Sequence, residues 1–283
     1  MIAGITHLTM EADLDRGVDA ATAWGLGLRF RDEVALPASF EQVEDDAHML
    51  PLALLAGPGL QLEVVQHRRT SGGPGAYTGV FACRPPAGPP VRDRPRTGEL
   101  LRRAGLVKDP VCVAVPVPRG EAWFDASAAA DGLAGILCSV RDVPREAEFW
   151  SDFARAKWVR VTADEAWGRL PSPLPGSSGA IVLESRTAGA PTRAGAGHAM
   201  NDRGFPSMGV LSTAVDADCA RAVDAGGALL AAPITTAVDG RSVRMALFET
   251  PGGAPVELLS VAAGPRRLRS ADAPGALGGS DNE

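Results

Sequence analysis

The fold of this 283-residue chain is decided by the segment FETPGGAPVEL, residues 248–258. Its last residues have the apolar character of a strand, and its central Pro-Gly-Gly predicts a turn. Before it come a strand pattern over 208–215 and a helical pattern over 217–225 that ends at Gly226. The C-terminal part of the chain is therefore predicted to form one strand–helix–strand module.

The same order of elements recurs along the chain with a repeat of about fifty residues. Strand and helix patterns follow one another in residues 5–66 and again in 135–185. Residues 77–126 contain a degenerate copy with a short helical pattern at 98–104. This internal repetition is the main structural clue in the chain.

Three of the modules resemble the vicinal oxygen chelate superfamily, which includes glyoxalase I, methylmalonyl-CoA epimerase, extradiol dioxygenases and the bleomycin- and fosfomycin-resistance proteins. The closing signature of that group is Phe, then Asp-Pro-x-Gly, then Glu-Leu, and here Thr250 replaces the Asp. Phe149 and Trp150 resemble the aromatic pair of its first helix, and ITHL at 5–8 resembles its first strand. The resemblance implies an α+β fold of tandem βαβββ modules that pair into two half-open barrels.

If neighbouring modules pair, the chain has two glyoxalase-like domains. We expect an N-terminal domain over 1–130, a C-terminal domain over 131–263 and a flexible tail over 264–283. A single curved sheet cannot close on itself, so two modules together would enclose a cleft. Such a cleft is suited to a small organic molecule, which is the expected partner.

Composition excludes several other classes. The net charge of −6, from 28 basic and 34 acidic residues, argues against a nucleic-acid partner. No apolar run approaches the roughly 20 residues that cross a bilayer, so no membrane partner is expected. The four cysteines form no CxxC pair, which predicts a reduced, cytoplasmic protein without a disulfide framework or structural zinc. We expect a monomer or homodimer.

In metal-dependent members of the superfamily, ligands come from the first and last strand of each module. The resemblance places His7 and Glu63 at these positions in the first module, and the second module supplies no histidine. Counting back from Asp142 and Asp216 puts the histidine positions of the last two modules at Gly135 and Val210, with Glu184 and Glu257 as their carboxylates. The expectation is a protein without a cofactor, and the alternative is a divalent metal at His7 and Glu63.

The same residues have plainer interpretations. His7 is also explained as a hydrogen-bonded strand histidine, and Glu257 as a member of a structural ion pair. Trp167 is the best aromatic candidate for stacking on a ligand, with Glu184 and Val210 as further ligand-binding positions.

Three functions remain open from the sequence. The first is a metal-free protein that sequesters a bulky organic metabolite, as antibiotic-resistance members do. The second is a metal-independent isomerase, cyclase or lyase of specialised metabolism, with Glu257, Glu63 or His7 as the general base. The third is a divalent-metal lyase or isomerase with its site at His7 and Glu63. An iron extradiol dioxygenase is not expected, because two histidines and a carboxylate do not come together.

Overall fold

A computed structural model describes most of the chain, with fifteen strands and four helices. The described residues are 1–37, 49–68, 75–86, 95–115, 121–128, 132–173, 179–185, 200, 202 and 204–262. The strands are β1 Ile2–Glu11, β2 Gly27–Ala35, β3 Met49–Ala56, β4 Gln61–Val65, β5 Tyr77–Phe81, β6 Pro110–Ala114, β7 Glu121–Asp125, β8 Leu133–Val140, β9 Lys157–Val161, β10 Glu165–Arg169, β11 Ala180–Ser185, β12 Met208–Ser212, β13 Ala228–Val238, β14 Arg241–Glu249 and β15 Pro255–Val261. The helices are α1 Leu14–Ala23, α2 Pro95–Arg103, α3 Val143–Ala154 and α4 Val215–Asp224.

These elements form four modules and two sheets. The modules are β1–β4 with α1, β5–β7 with α2, β8–β11 with α3, and β12–β15 with α4. The first sheet has the strand order β13-β14-β15-β12-β1-β4-β3-β2, and the second has the order β6-β7-β5-β8-β11-β10-β9. The predicted α+β fold of tandem modules is confirmed, although the second module has three described strands in place of four.

The pairing of the modules differs from the expectation. Neighbouring modules were expected to pair within 1–130 and within 131–263, but the first sheet joins the first and fourth modules and the second sheet joins the second and third. Both sheets therefore cross the predicted boundary. Every module carries a similar local pattern, so the pattern does not select the partner. The partner is selected by long-range fit, as where His7 of β1 lies opposite Gly209 of β12.

Two of the helices have an aspartate as their N-cap residue. The Asp13 carboxylate accepts a hydrogen bond from the Arg16 backbone N–H at 3.1 Å, and the Asp142 carboxylate accepts one from the Arg145 backbone N–H at 3.0 Å. Each aspartate satisfies a donor that the first helical turn leaves unpaired. This fixes where α1 and α3 leave their preceding strands.

The main core lies between the two sheets. Trp24, which follows α1 of the first module, contacts Phe81 and Phe124 of the second sheet with ring centroids 4.8 and 5.6 Å apart. Trp150 of α3 is fully buried in the same core, as its position on the apolar helix face predicts. Packing of this kind turns the opposite face of each sheet away from the main core.

The faces that point away from the main core differ between the two sheets. The first sheet curls until its edge strands meet, and the Asp239 backbone N–H of β13–β14 donates to the Asp32 carboxylate of β2 at 2.7 Å. The second sheet is covered on this face by α2, whose Leu100 and Leu101 are buried against Leu137 and Val182. The helix of the degenerate module thus occupies much of the space that a second cleft would need.

The sequence patterns did not predict two of the strands, β13 and β10. β13 contains a proline, which is tolerated because this strand is an edge of its sheet. β10 is short and contains a glycine, so its strand pattern is weak, and Trp167 lies within it. The predicted tail 264–283 lies outside the described residues. None of the helices in the described part of the chain is long and apolar enough to span a membrane.

A buried carboxylate joins the third module to the fourth. One Glu146 oxygen accepts a hydrogen bond from the Trp150 indole N–H at 2.9 Å, and the other accepts one from the Gly252 backbone N–H at 2.8 Å. Burial raises the pKa of Glu146 to about 6, although these bonds and one from Thr250 favour the charged form. The FETPGG turn of the fourth module is thereby tied to α3.

We predict that Glu146 makes the protein less stable as pH rises. Its folded pKa lies above its ordinary value of 4.5, so the folded state binds the proton more tightly. The free energy of unfolding should fall by about 2 kcal/mol, relative to a Glu146→Gln variant, as pH rises from below 4.5 to above 6. Urea denaturation of both proteins across this range measures the difference.

Glu148→Gln is the matched control, because Glu148 lies on the same helix and is exposed. Its unfolding free energy should follow that of the wild type at every pH. A constant difference between wild type and Glu146→Gln across this range would contradict the prediction.

Candidate functional site

The first sheet brings together three of the predicted site residues. His7 of β1, Glu63 of β4 and Glu257 of β15 each present one ligand atom, and these atoms lie within 4.8 Å of one another. The central strands β1 and β12 are neighbours, and β4 and β15 flank them on either side. We call these three residues the triad. Two half-sites that the sequence assigned to separate domains are therefore one site.

The register of the strands identifies a fourth position. Thr9 pairs with Glu63 in the first module, and Gly209 pairs with Glu257 in the fourth. His7 lies two residues before Thr9, so its counterpart lies two residues before Gly209, at Ser207. The resemblance implied a histidine or glutamine here, and this chain has a serine hydroxyl.

The expected histidine positions at Val210 and Gly135 are therefore corrected. Counting from Asp216 placed the start of α4 too late, because the N-cap of this helix is Ala214 and Asp216 lies in its first turn. Val210 is buried in the main core and does not lie at the triad. In the third module Glu184 pairs with Ser139, so the counterpart of His7 is Leu137 and not Gly135.

The His7 ring is held on one side and faces carboxylates on the other. Its Nδ1 lies 3.1 Å from the Thr6 hydroxyl, and its Nε2 lies 3.6 Å from Glu63 Oε2 and 3.9 Å from Glu257 Oε2. These last separations are too long for hydrogen bonds, so the attraction is between charges. Nε2 is buried and has no hydrogen-bond partner within the described part of the chain.

The triad perturbs the pKa values of its members. Burial lowers the pKa of His7, but the negative charges of Glu63 and Glu257 outweigh it and the pKa is raised. Burial raises the pKa of Glu257, but His7 and the hydroxyls of Ser207 and Thr9 outweigh it and the pKa is lowered. The charged forms of this buried group are therefore mutually stabilised.

Hydroxyl groups orient the two carboxylates. Ser207 Oγ donates to Glu257 Oε1 at 2.8 Å. Thr9 Oγ1 lies 3.3 Å from both Glu257 Oε1 and Glu63 Oε2, and its single proton serves one of them at a time. In Glu257 these contacts fix one oxygen and direct the other, Oε2, toward His7.

The donor set fits a divalent cation. An unpartnered imidazole nitrogen and two carboxylate oxygens converge in a buried place, which is an arrangement that divalent metals recognise. His7 and Glu257 are almost fully buried, whereas the Glu63 side chain keeps 15% of its exposure. Solvent therefore reaches the triad at Glu63.

Sequence reasoning missed a second buried pair on the same strand. His67 is buried against Glu11: its Nδ1 contacts Glu11 Oε2, and its backbone N–H donates to Glu11 Oε1 at 3.1 Å. Strand alternation places Glu11 on the same face of β1 as His7 and Thr9, and this was the signal that could have located the pair. His48 and His198 lie outside the described residues.

The second sheet contains the other predicted ligand-binding residues. Glu184 accepts hydrogen bonds from Thr97 of α2 at 2.9 Å and from Ser139 at 3.0 Å. Trp167 is partly buried, and the Arg103 and Arg160 guanidinium groups lie 5.4 and 5.7 Å from its ring centre. Neither is brought to the triad, and their roles toward a ligand stay predictions.

Solved structures share this fold. Glyoxalase I from Zea mays is 17% identical, with 91% of this chain and 92% of that chain covered and a TM-score of 0.55. A glutamate-to-glutamine mutant of the same enzyme is 16% identical, with 91% of this chain and 93% of that chain covered and a TM-score of 0.56. A candidate dioxygenase from Bacillus subtilis is 12% identical, with 93% of this chain and 86% of that chain covered and a TM-score of 0.52. No protein-family model and no curated protein sequence matches the chain. The chain thus has the fold of glyoxalase I, which confirms the fold that the resemblance implied.

We predict that Gly209→Ala disrupts the triad. A Cβ at this position would lie 2.0 Å from His7 Cε1, so the imidazole would have to move. The free energy of unfolding should fall by about 1–3 kcal/mol, the usual cost of overpacking a filled interior. Urea denaturation measures the change.

Two further variants separate this clash from a general effect of alanine in a strand. Gly27→Ala should be tolerated, because the nearest atom to its Cβ would be a backbone oxygen at 3.6 Å. Gly209→Ala should cost little when His7→Ala is also present. An equal loss in both backgrounds would show that the His7 ring is not the obstacle.

Proposed function

We propose that this protein binds a single divalent metal ion through His7, Glu63 and Glu257. The observation that carries the proposal is the convergence of three donors from opposite ends of the chain around a buried, unpartnered His7 Nε2. We further propose that the site acts on a small organic molecule with oxygen donors, as an isomerase or lyase.

Charge supports this choice over the cofactor-free expectation. Even with His7 protonated, the triad holds two carboxylates against one cation. A net negative charge in a buried site costs several kcal/mol unless a partner neutralises it. A bound divalent cation supplies that partner.

Each residue has a role in this proposal. His7 and the two carboxylates hold the ion, and Thr9 and Ser207 keep the carboxylates oriented. When bound, a divalent ion supplies Lewis acidity toward an oxygen of the substrate. Glu63 is the most exposed member and is the carboxylate best placed to take a proton from a bound molecule.

The surroundings of the triad favour charge-based chemistry. The same sheet face carries an apolar cluster that includes Leu52, Val65 and Met245. Apolar neighbours lower the local dielectric, so charges act on one another more strongly than in water. A metal-free role in sequestering a specialised metabolite or antibiotic, a cytoplasmic location and a monomer or homodimer remain predictions from the sequence.

Metal binding by the purified protein tests the proposal. After removal of bound ions with chelator, titration with Mn²⁺, Ni²⁺ and Zn²⁺ should give one saturable site per chain. Changing a group that merely orients a ligand costs about 10- to 100-fold in affinity, so His7→Ala and Glu257→Gln should each weaken binding by at least about 100-fold. Isothermal titration calorimetry and elemental analysis measure this.

Glu184→Gln is the matched control. Glu184 occupies the corresponding strand position in the second sheet, where hydroxyls of Thr97 and Ser139 surround it and Leu137 replaces the histidine. Its affinity for metal should equal that of the wild type. Absence of saturable binding, or binding that survives in His7→Ala, would refute the metal site.

A further inference from the structure

A cavity of about 480 Å³ lies in the second sheet, apart from the triad. It lies beside the C-terminal end of α2 and strands β10 and β11. Its walls include the side chains of Leu106, Val159, Trp167, Ala180 and Val182. This volume is within the usual range for a small-molecule site.

Small residues leave this space open. The chain after α2 passes through Ala104 and Gly105, and Gly105 has a left-handed φ of 70° with no atom near the place of a side chain. Ala180 lies opposite, on β11. Val159 at the wall is 78% exposed. The cavity therefore offers apolar surface that a ligand would cover.

Positive charge surrounds the cavity. Arg169 lines it, and Lys157 lies directly opposite Arg169 on the neighbouring strand β9. Like charges in this arrangement repel one another. Neither side chain forms an ion pair with a described residue.

The acidic neighbours are already engaged. Glu165 accepts two hydrogen bonds from Arg103, at 2.7 and 2.6 Å, and lies 3.8 Å from Arg160. Asp164 pairs with Arg96 at 3.3 Å. Arg169 and Lys157 are thus left in excess, in a chain whose net charge is −6.

We infer that this cavity binds a small organic anion. The apolar part of the molecule contacts Leu106, Ala180 and Val182, and its anionic group pairs with Arg169. An anion at this place relieves the repulsion between Arg169 and Lys157. Trp167 forms a wall, and its ring is covered by the guanidinium groups of Arg103 and Arg160. The inference is independent of the metal site.

Matched probes of different charge test it. Isothermal titration calorimetry on chelator-treated protein compares 2-naphthoate with 2-naphthamide, which has the same ring system and no charge. Naphthoate should bind about tenfold more tightly, the difference expected for one charge-assisted hydrogen bond. Arg169→Gln should abolish this preference, and Lys157→Gln should reduce it. Inorganic phosphate should not displace naphthoate, because it has no apolar part.

Arg241→Gln is the control, since Arg241 is an exposed arginine of the first sheet. It should retain the full preference for naphthoate. The inference is overturned if naphthoate shows no saturable binding, if both probes bind equally to the wild type, or if Arg169→Gln and Arg241→Gln behave alike. Displacement by phosphate would reduce the cavity to a simple anion site and overturn the role of its apolar walls.

Discussion

The contact between β1 and β12 is the constraint on which the site depends. At the centre of the first sheet the His7 ring lies against Gly209, and no other residue type leaves room for it. The same pairing places β4 and β15 on either side, so that Glu63 and Glu257 approach one imidazole. The ends of the chain are thereby joined in one sheet, and the triad is a product of that joining.

The two sheets have related strand orders, but different groups lie on their concave faces. The first sheet closes its edges over an apolar cluster and keeps charged groups at its centre. In the second sheet α2 lies on the corresponding face, and its Thr97 satisfies Glu184. Hydroxyls and Leu137 lie near Glu184 there, whereas in the triad an imidazole faces two carboxylates. What remains open in the second sheet is a cavity with positive charge at its edge.

Hydrogen bonds explain why the triad can persist in a buried place. Thr9 and Ser207 offer hydroxyls to the carboxylates, and Thr6 lies beside the other nitrogen of His7. Each contact offsets part of the cost of removing charge from water. His7 Nε2 has no hydrogen-bond partner among the described residues. A buried polar group in this state commonly indicates a function.

The sequence by itself determined the four modules and most of their helices and strands, and it named His7, Glu63 and Glu257 as candidate site residues. These features depend on neighbours close along the chain, such as the alternation around His7 or the Pro-Gly-Gly turn at 251–253. Only the tertiary structure decided that Glu257 joins His7, that Ser207 and not Val210 takes the fourth position, and that His67 is buried. The reason is physical: similar modules have equivalent edges, and the choice among them is made by side-chain fit between strands that are distant in the chain, which no local pattern encodes.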